Sequence, residues 1–220
     1  MTKPAIRTAT ISTATTIDPA TIKTATINTA TINTATSLNA LSERLDLVPM
    51  SLELMEALLR GDLQTAQQMV GYRLPADWPQ VMESVLRFRI PLAREHPEAT
   101  PLLLLAMVLR TDPEIVVGRL GFHGPVDEAG MLEIGYEVSP AHRRQGYARE
   151  AVVAMFRWAQ RDPAVLRFRA SVSPGNVPSR NLVTGLGFVE VGSQWDDEDG
   201  EETLFELPVG QISWSISPLG

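Results

Sequence analysis

The stretch SPAHRRQGYAREAVVAMFRWAQ, residues 139–160, joins a basic, glycine-containing loop to an amphipathic helix. Arg143 and Arg144 stand directly before Gln145, Gly146, Tyr147 and Ala148, and no Ser, Thr, Asp or Asn lies between Ala141 and Ala148 to cap the helix. An uncapped helix start presents free N–H groups and about half a positive charge. With a glycine that lets backbone approach a ligand and with two guanidinium groups nearby, the chemistry this favours is capture of an anion, above all a phosphate. From this stretch alone, a water-capped terminus flanked by two solvated arginines is an equal alternative. Two further sets of polar residues are candidates for chemistry. Asn176 and Ser179 stand three apart in NVPSRNLVTGLGF, and Glu133 and Glu137 stand four apart in MLEIGYEV.

The elements that must position these residues follow from periodicity. In the helix after the loop, Ala148, Ala151, Val152, Met155 and Ala159 share one side at 100° per residue, with Arg149, Glu150, Arg157, Gln160 and Arg161 opposite and expected in water. MLEIGYEV alternates as a strand, with Leu132, Ile134, Tyr136 and Val138 on one face and Met131, Glu133, Gly135 and Glu137 on the other. Upstream, RLDLVPM reads as a strand, SLELMEALLRGDLQTAQQMV as one or two short helices, and WPQVMESVLRFRI as a helix ending before Pro91. LLLLAMVLR and EIVVGRLGF read as two strands joined at TDP. Downstream, VLRFRASVS reads as a strand that turns Leu166, Phe168, Ala170 and Val172 to one side. Asn176 can then cap a helix with Pro178 in its first turn and Gly187 at its end. FVEVGSQW and ETLFELPV close the chain around the acidic turn DDEDGEE. This mixture of hairpins and crossover helices predicts an α/β layer around a mixed, mostly antiparallel sheet flanked by helices.

Composition removes several function classes. The 220 residues contain no Cys, so a disulfide framework and a thiolate metal site are excluded, and His96, His123 and His142 show no ligand spacing. A formal charge of −7 argues against a general nucleic-acid binder. No apolar run approaches the ~20 residues that span a bilayer. The expectation is a cytoplasmic protein with no metal, no nucleic-acid partner and no membrane partner, and a homodimer is compatible with it. Residues 1–40 form a Thr/Ala/Ile-rich tract repeating nearly every five residues, in which Ala20, Ala25 and Ala30 each precede Ile22, Ile27 and Ile32 by two. This loosely resembles pentapeptide-repeat coils, but stacked coils need neighbours to bury their core, so a disordered tail is expected before a globular domain at 41–220.

Arg143, Gly146 and Ala148 in RRQGYA, followed by Asn176, Ser179, Gly187 and Phe188 in NVPSRNLVTGLGF, resemble the two signatures of the GNAT superfamily of acyl-CoA-dependent N-acyltransferases. The resemblance spans Glu43 to Val209 in element order and is greatest to the branch that acetylates ribosomal proteins and peptide N-termini. It implies that the loop amides from Arg144 through Ala148 hold the pyrophosphate of acetyl-CoA, with charge from Arg143 and Arg144. It implies too that the strand ending at Val138 splays from the next one, that pantetheine pairs with Val138 and its neighbours, and that Asn176 and Ser179 face the cofactor. A backbone N–H near Val138 would act as an oxyanion donor.

Acyl transfer to nitrogen needs a neutral amine, and an amine of pKa ~10.4 lies about three units, or roughly 4 kcal/mol, from that state at pH 7. The family often places the general base on the strand that here carries Glu133 and Glu137. Glu133 is preferred, because Glu137 lies nearer the loop, where it can pair with Arg143 or Arg144. The plain alternative for both is a solvated strand carboxylate. Many members protonate the leaving thiolate with a Tyr seven residues after the motif Asn; Val183 stands there, leaving water, Ser179 or no acid at all. Direct transfer in a ternary complex is implied, since no Cys can carry the acyl group. Tyr136 and Tyr147 either line the pocket or pack, Trp78 and Trp158 are assigned to packing, and His123 and His142 to the surface. The expected function is acetylation of a small or peptidyl amine. The rivals are a non-catalytic acyl-CoA-binding module and an assembly protein built on the Thr-rich repeat.

Overall fold

Alternating leucines form the first strand of the computed structural model, which describes residue 39, residues 41–196 and residues 200–212. Residues 1–38 and 40, which hold nearly all of the repeat tract at 1–40, the tip of the acidic turn at 197–199, and residues 213–220 lie outside the described residues. Strand β1 (Leu45–Pro49) turns Leu45 and Leu47 inward. Ser51 accepts from the Leu54 N–H to open α1 (Leu52–Leu59), and Asp62 does the same through Thr65 for α2 (Leu63–Gln68). The short α3 (Trp78–Val81) leads into α4 (Glu83–Glu95).

Helix α4 runs through Pro91 instead of ending before it. Proline removes one helical N–H, but Pro91 and Arg87, four residues earlier, both lie on the exposed side, while Leu86, Arg89, Ile90 and Ala93 hold the buried side. The run of four leucines also divides differently from its reading as one strand. Pro101 begins a helical turn, α5 (Thr100–Leu103), and β2 (Leu105–Leu109) starts only after it.

Next come β3 (Asp112–Phe122), β4 (Met131–Val138), a 3-10 turn at Pro140–His142, α6 (Tyr147–Ala159) and β5 (Arg167–Val172). The chain continues with α7 (Val177–Gly185), β6 (Val189–Asp196) and β7 (Gly200–Pro208). Leu166 departs from its expected inward place and is 60% exposed. Leu166 N–H and Arg167 N–H both donate to the Gly130 carbonyl, so one residue is extra at this edge and Val165 takes the buried position.

Among the described residues, seven strands make one sheet in the order β1-β2-β3-β4-β5-β7-β6, with β4 and β5 parallel and the other neighbours antiparallel. The expected mixed, mostly antiparallel sheet is therefore present. One core lies between the sheet and α6 and α7, centred on Phe122, Phe156, Phe168 and Phe188; the Phe156 and Phe168 rings stack at 3.9 Å. The other lies under the first helices and involves Met55, Leu58, Met82 and Leu86 against Ala106, Val108 and Val116. No helix among the described residues is long and apolar enough to cross a membrane.

Candidate active site

The loop before α6 is shaped by two left-handed residues, Arg144 (φ 63°) and Gly146 (φ 83°), and Gly146 takes the N-cap place with no side-chain cap. Such a loop turns successive N–H groups toward one point, next to the open end of α6. Arg144, Gly146, Tyr147, Ala148, Asn176 and Ser179 share one cleft of about 1030 Å³ with Val138 and Arg143. Gln145 belongs to the same loop but is not in the cleft lining; its carbonyl accepts from Arg44 Nη1 at 2.9 Å.

Arg44 was not singled out in the sequence. Its guanidinium lies 4.6 Å from the Tyr147 ring centroid and pairs through Nε with Glu150 at 2.7 Å. Glu150 is thus not on a simple water-facing side. Its carboxylate also accepts from the Ser42 hydroxyl and from the backbone N–H groups of Glu43 and Arg44. The buried side of α6 is correspondingly wider than one stripe, taking in Val153, Ala154, Phe156 and Trp158 as well.

Across the cleft, Asn176 accepts from the Ser179 N–H at 3.2 Å and caps α7, which ends where Gly187 turns at φ 94°. The Tyr136 hydroxyl lies toward Ser179, buried and without a hydrogen-bond partner of regular geometry. Burial pushes this phenol up, with Ser179 acting the other way. Val183 is fully buried in the core.

The cleft reaches an opening in the sheet. Strands β4 and β5 pair only at Met131, Leu132 and Glu133, whereas β5 pairs along its whole length with β7. Glu133 O accepts from His123 N–H and Ser139 N–H donates to Val117 O, so odd-numbered residues of β4 bond toward β3. Strand alternation then turns the N–H groups of Tyr136 and Val138 toward the opening. The Val138 carbonyl accepts from Arg143 Nε at 3.0 Å, tying the loop to the strand end.

The odd-numbered side chains of β4 lie on the opposite face of the sheet. Three cross-strand pairs follow one another there: Arg119 with Glu137, Gly121 with Gly135, and His123 with Glu133. Glu137 forms an ion pair with Arg119 and none with Arg143 or Arg144, because Arg119 is its direct partner across the strands. Glu133, 18% exposed, accepts from Ser171 Oγ at 2.6 Å and stands 3.5 Å from His123 Nδ1.

His123 is a surface residue, as expected, and stands beside Glu133 on that opposite face. Its ring occupies the room left by Gly135, where a Cβ would come within 2.6 Å of Nε2. Its partly enclosed position and the Arg89 guanidinium hold the imidazole below its ordinary range, against the pull of Glu133. The alternation of MLEIGYEV and of VLRFRASVS signals the faces of Glu133 and Ser171. Nothing in the sequence signals the register that brings His123 and Ser171 to the same carboxylate.

A family model described as "Acetyltransferase (GNAT) domain" matches residues 44–189. An uncharacterized N-acetyltransferase of Bacillus subtilis (strain 168), YjdG, is 31% identical over 150 residues, covering 67% of this chain and 88% of the relative. A second relative, the uncharacterized N-acetyltransferase p20 of Bacillus licheniformis, is 30% identical over 46% of this chain and 56% of its own. Similar solved structures include Mycobacterium smegmatis RimJ in complex with CoA-disulfide, at TM-score 0.50 and 19% identity over 80% of this chain and 92% of that one. Another is RimL, a ribosomal L7/L12 alpha-N-protein acetyltransferase in complex with coenzyme A, at TM-score 0.51 and 16% identity over 76% and 96%.

Proposed function

The chain belongs to the GNAT acetyltransferase family and is an acyltransferase, and we propose that it moves an acetyl group from acetyl-CoA directly to a primary amine of a small molecule or peptide. The observation that carries this reading is the opening between β4 and β5, with an uncapped, left-handed loop on one face and Glu133 on the other. A long cofactor arm can pass through such an opening and meet an amine beyond it.

In this reading the amides of Arg144 through Ala148 hold the pyrophosphate, and Arg143 and Arg144 add charge. The amine lone pair attacks the thioester carbonyl carbon, and Glu133 accepts the proton the nitrogen gives up. The Val138 N–H steadies the oxyanion as the C–S bond breaks. The sulfur leaves with its electron pair and takes a proton from water or from the Ser179 hydroxyl, which lines the cleft. The likeness to ribosomal-protein acetyltransferases supports peptide N-termini as one acceptor class to assay.

Val183, core-buried where the family often has its acid, favours a second reading in which the module binds acyl-CoA without turnover. Two measurements decide. Saturating CoA at 100 times Kd should stabilise the protein by about 2.7 kcal/mol, and the absence of any thermal shift in folded protein would overturn the CoA reading. Acceptor-dependent thiol release from acetyl-CoA across a panel of amines and N-terminal peptides separates enzyme from binder.

A further inference from the structure

Arg44 meets the loop before α6 at three places, yet it is not among the residues lining the cleft. Its Nη1 donates to the Gln145 carbonyl at 2.9 Å, its guanidinium lies 4.6 Å from the Tyr147 ring centroid, and its Nη2 is what a Cβ on Gly146 would meet, at 3.4 Å. The guanidinium is itself fixed. Its Nε donates to Glu150 Oε2 at 2.7 Å, and the Arg44 backbone N–H donates to Oε1 of the same carboxylate at 2.7 Å. One side chain, from the segment that leads into β1, therefore braces both the loop and the first turn of α6 from outside the cleft.

The consequence for the loop follows from the geometry of a peptide bond. In a trans peptide the N–H points opposite to the preceding carbonyl, and no peptide among the described residues is cis. The Gln145 carbonyl is drawn out to Arg44, so the Gly146 N–H is turned the other way, toward the cleft that Gly146 lines and Gln145 does not. The residues on either side, Arg144 at φ 63° and Gly146 at φ 83°, are left-handed, and for Arg144 that conformation is opposed by its own Cβ. Such a backbone persists only where its surroundings hold it. Without the bond to Arg44, the Gln145–Gly146 peptide is free to turn over and put a carbonyl where an anion needs an N–H.

Resting on the reading of the cleft as an acetyl-CoA site, we infer that Arg44 is a positioning residue for the pyrophosphate loop: it holds the Gln145–Gly146 peptide with its N–H toward the phosphates before the cofactor arrives, and does not itself contact them. A loop already ordered loses less freedom on binding, and the affinity gained is confined to the part of the cofactor that the loop holds. Arginine suits the task. Its planar fork reaches the Gln145 carbonyl and the Glu150 carboxylate at once while its face lies on Tyr147, and the single ammonium of a lysine cannot do all three.

The test measures CoA affinity by calorimetry and compares two acyl donors, acetyl-CoA and S-acetylpantetheine, which lacks the pyrophosphate and the nucleotide. In Arg44→Ala the Kd of CoA should rise about 10-fold or more and the KM for acetyl-CoA with it, while kcat stays within about twofold of wild type. The kcat/KM for S-acetylpantetheine should not change. Arg44→Lys keeps the charge and should recover only a small part of the affinity. Glu150→Gln loosens the guanidinium without altering the loop sequence. It should weaken CoA in the same sense, and should add no further loss when combined with Arg44→Ala.

A CoA affinity within about twofold of wild type in Arg44→Ala would overturn the inference. So would full recovery in Arg44→Lys, which would make the effect one of charge, or an equal loss with both donors, which would make it one of general stability. Absence of CoA binding by the wild-type protein strikes at the acetyltransferase reading instead, which keeps the two failures apart.

Discussion

Glu133 receives the Ser171 hydroxyl and faces a His123 ring held toward its neutral form, so its carboxylate is oriented without a cation bound to it. If it takes the amine proton, Glu133→Gln should lower kcat/KM by roughly 10²-fold or more with CoA affinity unchanged, because the amide keeps the shape and removes basicity. The deficit should narrow as pH rises and solution supplies the neutral amine; wild-type rates at every pH would remove Glu133 from the role. Glu137→Gln is the contrasting variant, since it releases Arg119 and leaves the Ser171 contact in place. At this scale the face of Glu133 was legible from simple alternation. Its neighbours were not, because His123 reaches it only through the β3–β4 register and Ser171 only through the short parallel pairing of β4 with β5. Registers are set by packing and turns, which leave little local trace in composition.

At the scale of elements, the most legible parts were α6, α7 and their starts, where periodicity, the missing cap and Asn176 with Pro178 all agree. The failures were local rules overridden by exposure and edge geometry: Pro91 is accommodated on a wet helix face, and Leu166 is turned out by the doubled bond to Gly130. Gly146 makes the loop's requirement testable. A side chain there meets only Arg44 Nη2, at 3.4 Å, so the obstacle to substitution is the backbone at φ 83° more than lack of room. Gly146→Val should therefore cost about 1–3 kcal/mol of stability and most of the CoA-induced thermal shift, as the loop amides lose their common direction. Gly185→Ala is the matched control. It is the last residue of α7, outside the left-handed region and with open space around it, and should stabilise by up to about 1 kcal/mol with the CoA shift intact. Equal CoA shifts in both variants would show that the loop conformation does not matter for binding.

The whole molecule ties its first described residues to the start of α6, more than a hundred positions along the chain. Asn39 Oδ1 accepts from Leu47 N–H, and Ser42, Glu43 and Arg44 converge on Glu150 one turn into the helix that follows the left-handed loop at Arg144 and Gly146. The boundary of the working domain should therefore lie before Asn39 and not at the first strand. A chain beginning at residue 39 should keep the CoA shift and turnover of the full protein, as every residue assigned here to the site lies beyond it. A chain beginning at Arg44 leaves Glu150 with a reduced set of donors and should lose about 1–3 kcal/mol of stability and part of the CoA shift. The loss should also depend on pH. Burial pushes the Glu150 carboxyl up, but the Arg44 N–H, the Ser42 hydroxyl and the Arg44 guanidinium outweigh it and hold the group below its ordinary value of 4.5. Because the folded pKa is the lower one, this stabilisation is complete above about pH 4.5 and fades as pH falls through the folded value. Thermal unfolding of the two chains should thus differ most near neutrality and converge in acid. A constant difference at all pH values would place the cause in packing around Asn39 and not in the Glu150 carboxylate.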